Sequence, residues 1–237
     1  MTVRNNEWIQ LDFHIHRLAE SCRLIESWSN PAIMLPAQSS ESIRPLLLPL
    51  LDSSLHSFRR SVDDSCDLKL VVLATEDRVT DQLLIAVFCD TLIATDVAQS
   101  VSLMLFGIPR INPLAKNSSW LLERRYITDR KPKYCDECIL HDADGNLYEG
   151  TVSNLVFIVN ESEDSNDYSV VSAPLGTVLE GSVLTMLEKV CCDMSIPFKR
   201  VAFPNIKHKS SWTGALILSI LPFYYKPIEK YVLTPIL

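Results

Sequence analysis

Apolar residues recur at helical spacing in two stretches near the start of the chain. Ile15, Leu18, Cys22 and Ile25 form one stripe, which predicts a helix over Leu11–Trp28, with Asp12 placed to cap it. Leu47, Leu50, Leu51, Leu55 and Phe58 form the inner side of a second helix over Glu41–Arg60, whose first turns Pro45 and Pro49 make irregular. The pattern then changes to short runs rich in Val, Ile, Leu and Phe, which predict strands at 68–74, 83–88 and 101–106. Gly107-Ile108-Pro109 and Asn112-Pro113 break the chain there.

The break predicts two domains, 1–112 and 113–237. In the second, Leu114–Arg125 reads as a helix with Lys116 in its first turn. Two apolar runs, ending at Leu140 and starting at Leu155, flank Asp144-Gly145, a hairpin signal because Gly supplies the positive φ of a tight turn. An acidic loop at 161–167, a strand at 170–173 and a turn at Pro174-Leu175-Gly176 follow. Gly181-Ser182 opens a helix with Leu184, Leu187, Cys191 and Met194 on one stripe. Strands at 196–202, 215–221 and 224–231 complete an α+β (α/β) chain.

Composition narrows the classes. Of 237 residues, 47% are hydrophobic, enough for a packed core. The net charge of −7, with no Lys/Arg cluster, argues against nucleic acid and an anionic membrane surface. The longest apolar run is too short to span a bilayer. The polar N-terminus and seven irregularly spaced cysteines predict reduced thiols and a cytoplasmic location, with organelle import from a longer precursor left open.

Cys135-x-x-Cys138 leads into a strand rather than a helix N-terminus, and no second Cys/His pair matches it, so neither redox nor metal use is expected. Asp142-Ala143-Asp144-Gly145 lacks the later acidic ligands of a calcium loop and reads as a plain turn. His14 and His16 read as ordinary surface or half-buried residues, and Arg17, beside Ser21, as a solvated one. Glu149 stands out. It enters a buried strand, where an unpaired carboxylate costs several kcal/mol, so it must face a partner. A cation that can become a nucleophile (Lys116), this carboxylate, and a helix start able to take an anion (Gly181-Ser182-Val183) are the parts needed to hold pyridoxal 5′-phosphate.

The order of these parts resembles the fold-type IV (class IV) pyridoxal-phosphate aminotransferases, which include branched-chain and D-amino-acid aminotransferases and aminodeoxychorismate lyase. His14-Ile15-His16-Arg17-Leu18-Ala19-Glu20-Ser21 is similar to the family's "H-x-x-R-L-x-x-S" helix. Ala115-Lys116-Asn117-Ser118-Ser119-Trp120 resembles its lysine segment, and Glu149-Gly150-Thr151-Val152-Ser153-Asn154-Leu155-Val156-Phe157 its "E-G-x-x-x-N-h-F". Ala173-Pro174 followed by Leu179-Glu180-Gly181-Ser182-Val183 resembles its "P…hLxGITR" element.

The resemblance implies a two-domain enzyme with the cofactor in the cleft between domains. Lys116, expected to be buried, would form the Schiff base and serve as general acid and base. Arg17 would bind phosphate with the amides of Ser182 and Val183. Glu149 would pair with the ring nitrogen, and Leu179 would lie against the ring. The implied reaction moves an amino group between an amino acid and a 2-oxo acid. The alternatives are a lyase of the same family and a truncated, non-catalytic relative. The family is usually dimeric, so a homodimer is the expected assembly. Three departures stand out. The family's N-terminal strands are apparently missing. Val183 replaces the usual Thr, with Leu184-Thr185 following. Pro222, Phe223 and Tyr224 occupy a turn where the family has small polar residues.

Overall fold

The computed structural model describes residues 1–63, 65–92, 101–160, 167–200, 203–207, 212–218 and 230–232. The chain divides into two compact units, Met1–Ala94 with Ala115–Asn117, and Thr95–Leu114 with Ser118–Leu237.

In the first unit a four-stranded antiparallel sheet runs in the order β2-β1-β3-β4, with β1 Thr2–Arg4, β2 Glu7–Ile9, β3 Leu68–Asp77 and β4 Gln82–Thr91. The ten residues before the first helix thus hold two short strands. Asn5 and Asn6 join them with φ of 49° and 64°, the left-handed pair that a two-residue hairpin requires and that Asn tolerates. β3 and β4 pair over their full length, from Leu68 opposite Thr91 to Asp77 opposite Gln82.

The helices are α1 Leu11–Leu24, the single turn α2 Pro31–Met34, and α3 Ser40–Arg59. α1 stops four residues before the predicted end. Asp12 does not cap it: Gln10 occupies the N-cap in left-handed conformation, and Asp12 pairs with Arg44 instead. α3 is capped by Ser39, whose Oγ accepts the Ser42 N–H. Both prolines sit inside α3. Each removes a backbone donor, and the helix persists because Ile43, Leu47 and Leu51, four residues apart, are fully buried against Val3, Ile15, Leu68 and Leu70. Leu50, expected inward, is exposed.

The second unit is built on an eight-stranded mixed sheet among the described residues. Its strands are β5 Ser102–Leu105, β6 Glu137–His141, β7 Leu147–Gly150, β8 Asn154–Asn160, β9 Tyr168–Ser172, β10 Phe198–Lys199, β11 Trp212–Leu218 and β12 Lys230–Val232. The order is β10-β9-β8-β7-β6-β5-β12, with β11 also paired to β8. β5 lies parallel to β6, so it belongs to this sheet, and the division falls earlier than the Gly/Pro break at 107–113 suggests.

Two single turns, α4 Trp120–Glu123 and α5 Arg125–Thr128, stand where one helix from Leu114 was expected. α6 Ser182–Asp193 begins where Gly181-Ser182 indicated. Met194 closes α6 as its C-cap and is exposed rather than on the buried stripe. The β6–β7 turn is the expected hairpin. Gly145 has φ of 87°, and the Asp142 carboxylate accepts from the Asp144 and Asn146 amides. Asp64, residues 161–166, the end of the 196–202 strand, the turn with Pro222, Phe223 and Tyr224, and the start of the 224–231 strand lie outside the described residues. Among the described residues no helix is long and apolar enough to cross a membrane.

Leu47 is fully buried at the centre of the first core. Leu47→Ala is expected to cost about 2–5 kcal/mol of stability. Urea unfolding followed by fluorescence of Trp8 and Trp28, which pack on that core, measures it.

Candidate functional site

In the first unit the site begins on α1. Arg17 follows His14 by one turn, and its Nη2 lies 3.3 Å from His14 Nδ1, with the guanidinium 5.0 Å from the Phe13 ring centroid. It is not the solvated residue that composition suggests: burial lowers it from its ordinary value to about 10. His14, expected at the surface or half-buried, is 5% exposed. Burial, then the positive charges of the chain's amino group, Arg17 and Lys116, push it down to about 3, so it is a neutral ring.

Ser21 connects α1 to the lysine segment. Its hydroxyl donates to the Arg17 carbonyl at 2.7 Å and accepts the Lys116 N–H at 2.9 Å. Ala115 beside it is fully buried. Lys116 itself is exposed rather than buried, and it lies in irregular chain rather than in a helical turn. The helix cannot start earlier because Pro113 and Asn117-Ser118-Ser119 favour turn geometry over helix. The Ser21 hydroxyl thus joins the Arg17 carbonyl to the Lys116 amide within this unit.

In the second unit Glu149 is 5% exposed, and its partners are now visible. Arg110 Nη1 lies 3.7 Å from its Oε1, with both side chains 6% exposed, and the Leu179 N–H donates to its Oε2 at 3.1 Å. Burial lowers the Arg110 guanidinium from its ordinary value, and Glu149 opposes that shift. Arg110 also lies over the Trp120 ring at 5.2 Å. Asn154, paired across the strands with Glu149, donates its Nδ2 to the Leu179 carbonyl at 2.8 Å. Both backbone groups of Leu179 are thus held by side chains of β7 and β8.

Two residues on lies Gly181, where an added Cβ would sit 2.0 Å from Asn154 Oδ1. Gly181, the N-cap of α6, has no side chain to cap the helix, and Ser182 and Val183 carry the first amides of its first turn. Val183 brings methyl groups where a hydroxyl would add a donor. Glu180 is anchored from behind by buried Arg200, whose Nη1 and Nη2 reach its two oxygens at 2.8 and 2.7 Å.

Sequence reasoning missed His14, Arg110 and Arg200. The only available signal for Arg110 was the need of Glu149 for a countercharge. The thiols of Cys135 and Cys138 are buried and pushed up, Cys138 to about 12, the opposite of a reactive CxxC. Among the described residues no three His, Cys, Asp or Glu side chains gather as a metal site would need.

The family model described as amino-transferase class IV matches residues 1–204. No curated protein matches the sequence. A branched-chain aminotransferase from Thermoproteus uzoniensis, solved with norvaline, is 16% identical with a TM-score of 0.69, covering 98% of this chain and 75% of its own. A hypothetical aminotransferase from Mycobacterium tuberculosis in its PLP-bound form is 14% identical with a TM-score of 0.75, covering 98% and 79%. Its α-ketoglutarate and PMP bound form gives 14% and 0.70 over the same shares. At these identities the likeness shows a shared fold.

The buried neutral His14 makes a testable demand. The unfolded chain binds its proton near 6.5 and the folded protein only near 3. Its contribution is therefore fully present above 6.5 and is lost as pH falls towards 3. His14→Gln is expected to flatten the fall in urea midpoint between pH 6.5 and about 4 relative to the native chain.

Proposed function

Since the chain belongs to the class IV amino-transferases, whose cofactor is pyridoxal 5′-phosphate, we propose that it moves an amino group between an amino acid and a 2-oxo acid, with Lys116 as the residue that carries the cofactor. The single observation that supports this most is the buried Glu149 carboxylate, held by Arg110 and the Leu179 amide. An ionised carboxylate only accepts hydrogen bonds and can hold several donors at once, a ring N–H among them.

The residues fit the cofactor. A phosphate monoester suits a half-buried guanidinium such as Arg17, and equally the backbone amides at a helix start such as those of Ser182 and Val183. The missing side chain of Gly181 lets Asn154 close on the segment that carries Leu179, and Leu179 offers an apolar surface for the ring. When bound, the cofactor supplies an electron sink for the pair left at the substrate carbon. Glu149 accepts the ring N–H and keeps that proton in place. Arg110 supplies a countercharge to the buried Glu149 carboxylate. Lys116 would hold the cofactor through Nζ and, as a free amine once substrate is bound, would take the proton from the substrate's α-carbon and deliver it to the carbon to which the lysine had been attached. Norvaline and α-ketoglutarate in the structural neighbours support an α-amino acid and a 2-oxo acid as the substrate pair.

Borohydride reduction of the cofactor-loaded chain followed by peptide mapping is expected to leave a pyridoxyl group on Lys116. Lys116→Ala is expected to lose both that label and amino-group transfer, by at least about a thousandfold. A label on another lysine, or none at saturating cofactor, would falsify the assignment.

A further inference from the structure

Glu137, the first residue of β6, is a second buried carboxylate, 2% exposed. It accepts five hydrogen bonds. One comes from the Cys138 N–H at 2.9 Å. The other four come from the short segment that follows Glu149. Thr151 gives its N–H at 3.2 Å and its hydroxyl at 2.6 Å, Val152 its N–H at 3.3 Å, and Ser153 its hydroxyl at 2.8 Å.

Thr151 is held on its other side as well. Its carbonyl accepts Trp120 Nε1 at 2.9 Å and Arg124 Nη1 at 3.2 Å. The segment closes on itself through the Gly150 N–H to the Ser153 carbonyl at 2.8 Å. There is no room for a larger residue beside it: a Cβ at Gly150 would lie 2.8 Å from Glu137 Oε2 and 2.1 Å from Ser153 Oγ.

The circuit leads back to Glu149 by two routes. One is the backbone, since Gly150 is the next residue. The other is through Trp120, whose N–H ends on Thr151 and whose ring lies under Arg110, the ion partner of Glu149. A turn of this length can be closed by neutral side chains. Burying a charge to do it costs several kcal/mol before its hydrogen bonds are counted. A carboxylate is the side chain that accepts only and never donates, so four donors from three consecutive residues can converge on it.

We propose that Glu137 is a positioning residue for Glu149: by locking Gly150–Ser153 it fixes the direction from which the Glu149 carboxylate meets the ring nitrogen. The proposal rests on the reading of Glu149 as that nitrogen's partner. A misplacement of about 1 Å in such a contact is enough to weaken it greatly.

The test uses the full chain with pyridoxal phosphate as probe and compares the native protein with Glu137→Gln and Glu149→Gln. In Glu137→Gln the new side-chain amide would turn a donor toward donors and break part of the lock. Without cofactor, the Thr151 and Val152 amides of Glu137→Gln are expected to exchange faster with solvent. With cofactor, the dissociation constant is expected to rise roughly tenfold, the lower end of the cost of losing an outer-shell partner. The pH transition of the bound chromophore's absorbance is expected to shift in the same direction as in Glu149→Gln, but by less. Thr151→Val removes only the 2.6 Å hydroxyl bond and should repeat these shifts at smaller size; it replaces Glu137→Gln if that variant does not fold. Native affinity and a native pH transition, with only a lower unfolding temperature, would show that Glu137 is structural and overturn the proposal while leaving Glu149 its role. A Glu149→Gln chromophore that titrates like the native one would remove that role, and the proposal with it.

Discussion

A carboxylate inside a protein must have its lost water replaced by hydrogen bonds or a countercharge, and Glu149 has both. The ion pair with Arg110 and the bond from the Leu179 amide compensate its loss of water. Arg110 comes from the irregular segment after β5, Glu149 from β7, and Leu179 from the approach to α6. One buried charge therefore ties three distant stretches of chain together. Removing either partner would leave a charge unpaired, which costs more than the pair contributes.

The same constraint explains the local sequence. Gly150 and Gly181 are small because Ser153, Glu137 and Asn154 occupy the space a Cβ would take. Asn154 reads as a polar interruption of an apolar strand until its bond to the Leu179 carbonyl is seen. In the first unit the chemistry has the opposite sign. The Arg17 carbonyl and the Lys116 amide are joined through the Ser21 hydroxyl, and His14 stays neutral among the charges of those residues.

The elements with local causes were legible in the sequence. The hairpin at Asp144-Gly145, the start of α6 at Gly181-Ser182 and the long helix α3 follow from turn chemistry and apolar spacing over a few residues. Arg17, Lys116, Glu149, Leu179, Ser182 and Val183 are proposed as site residues on motif order; Glu149 is buried as expected, whereas Lys116 is exposed. What could not be read depends on contacts between distant positions. β5 looks like any short apolar strand, and only its parallel pairing with β6 assigns its sheet. Arg110 sits in a Pro- and Asn-rich break with no periodicity to show that it is buried. Glu137 is one of two adjacent acids, Asp136-Glu137, and its donors lie on the far side of the hairpin. The helix expected from Leu114 failed because spacing alone does not weigh Pro113 and the Asn-Ser-Ser run against it.

The central claim is that Glu149 holds the proton of the cofactor's ring nitrogen. Nitrogen NMR of the chain loaded with pyridoxal phosphate labelled at that atom reads the proton directly. The expected result is a pyridinium shift in the native protein, moving towards neutral pyridine in Glu149→Gln. A neutral pyridine signal in the native protein at neutral pH would contradict the account.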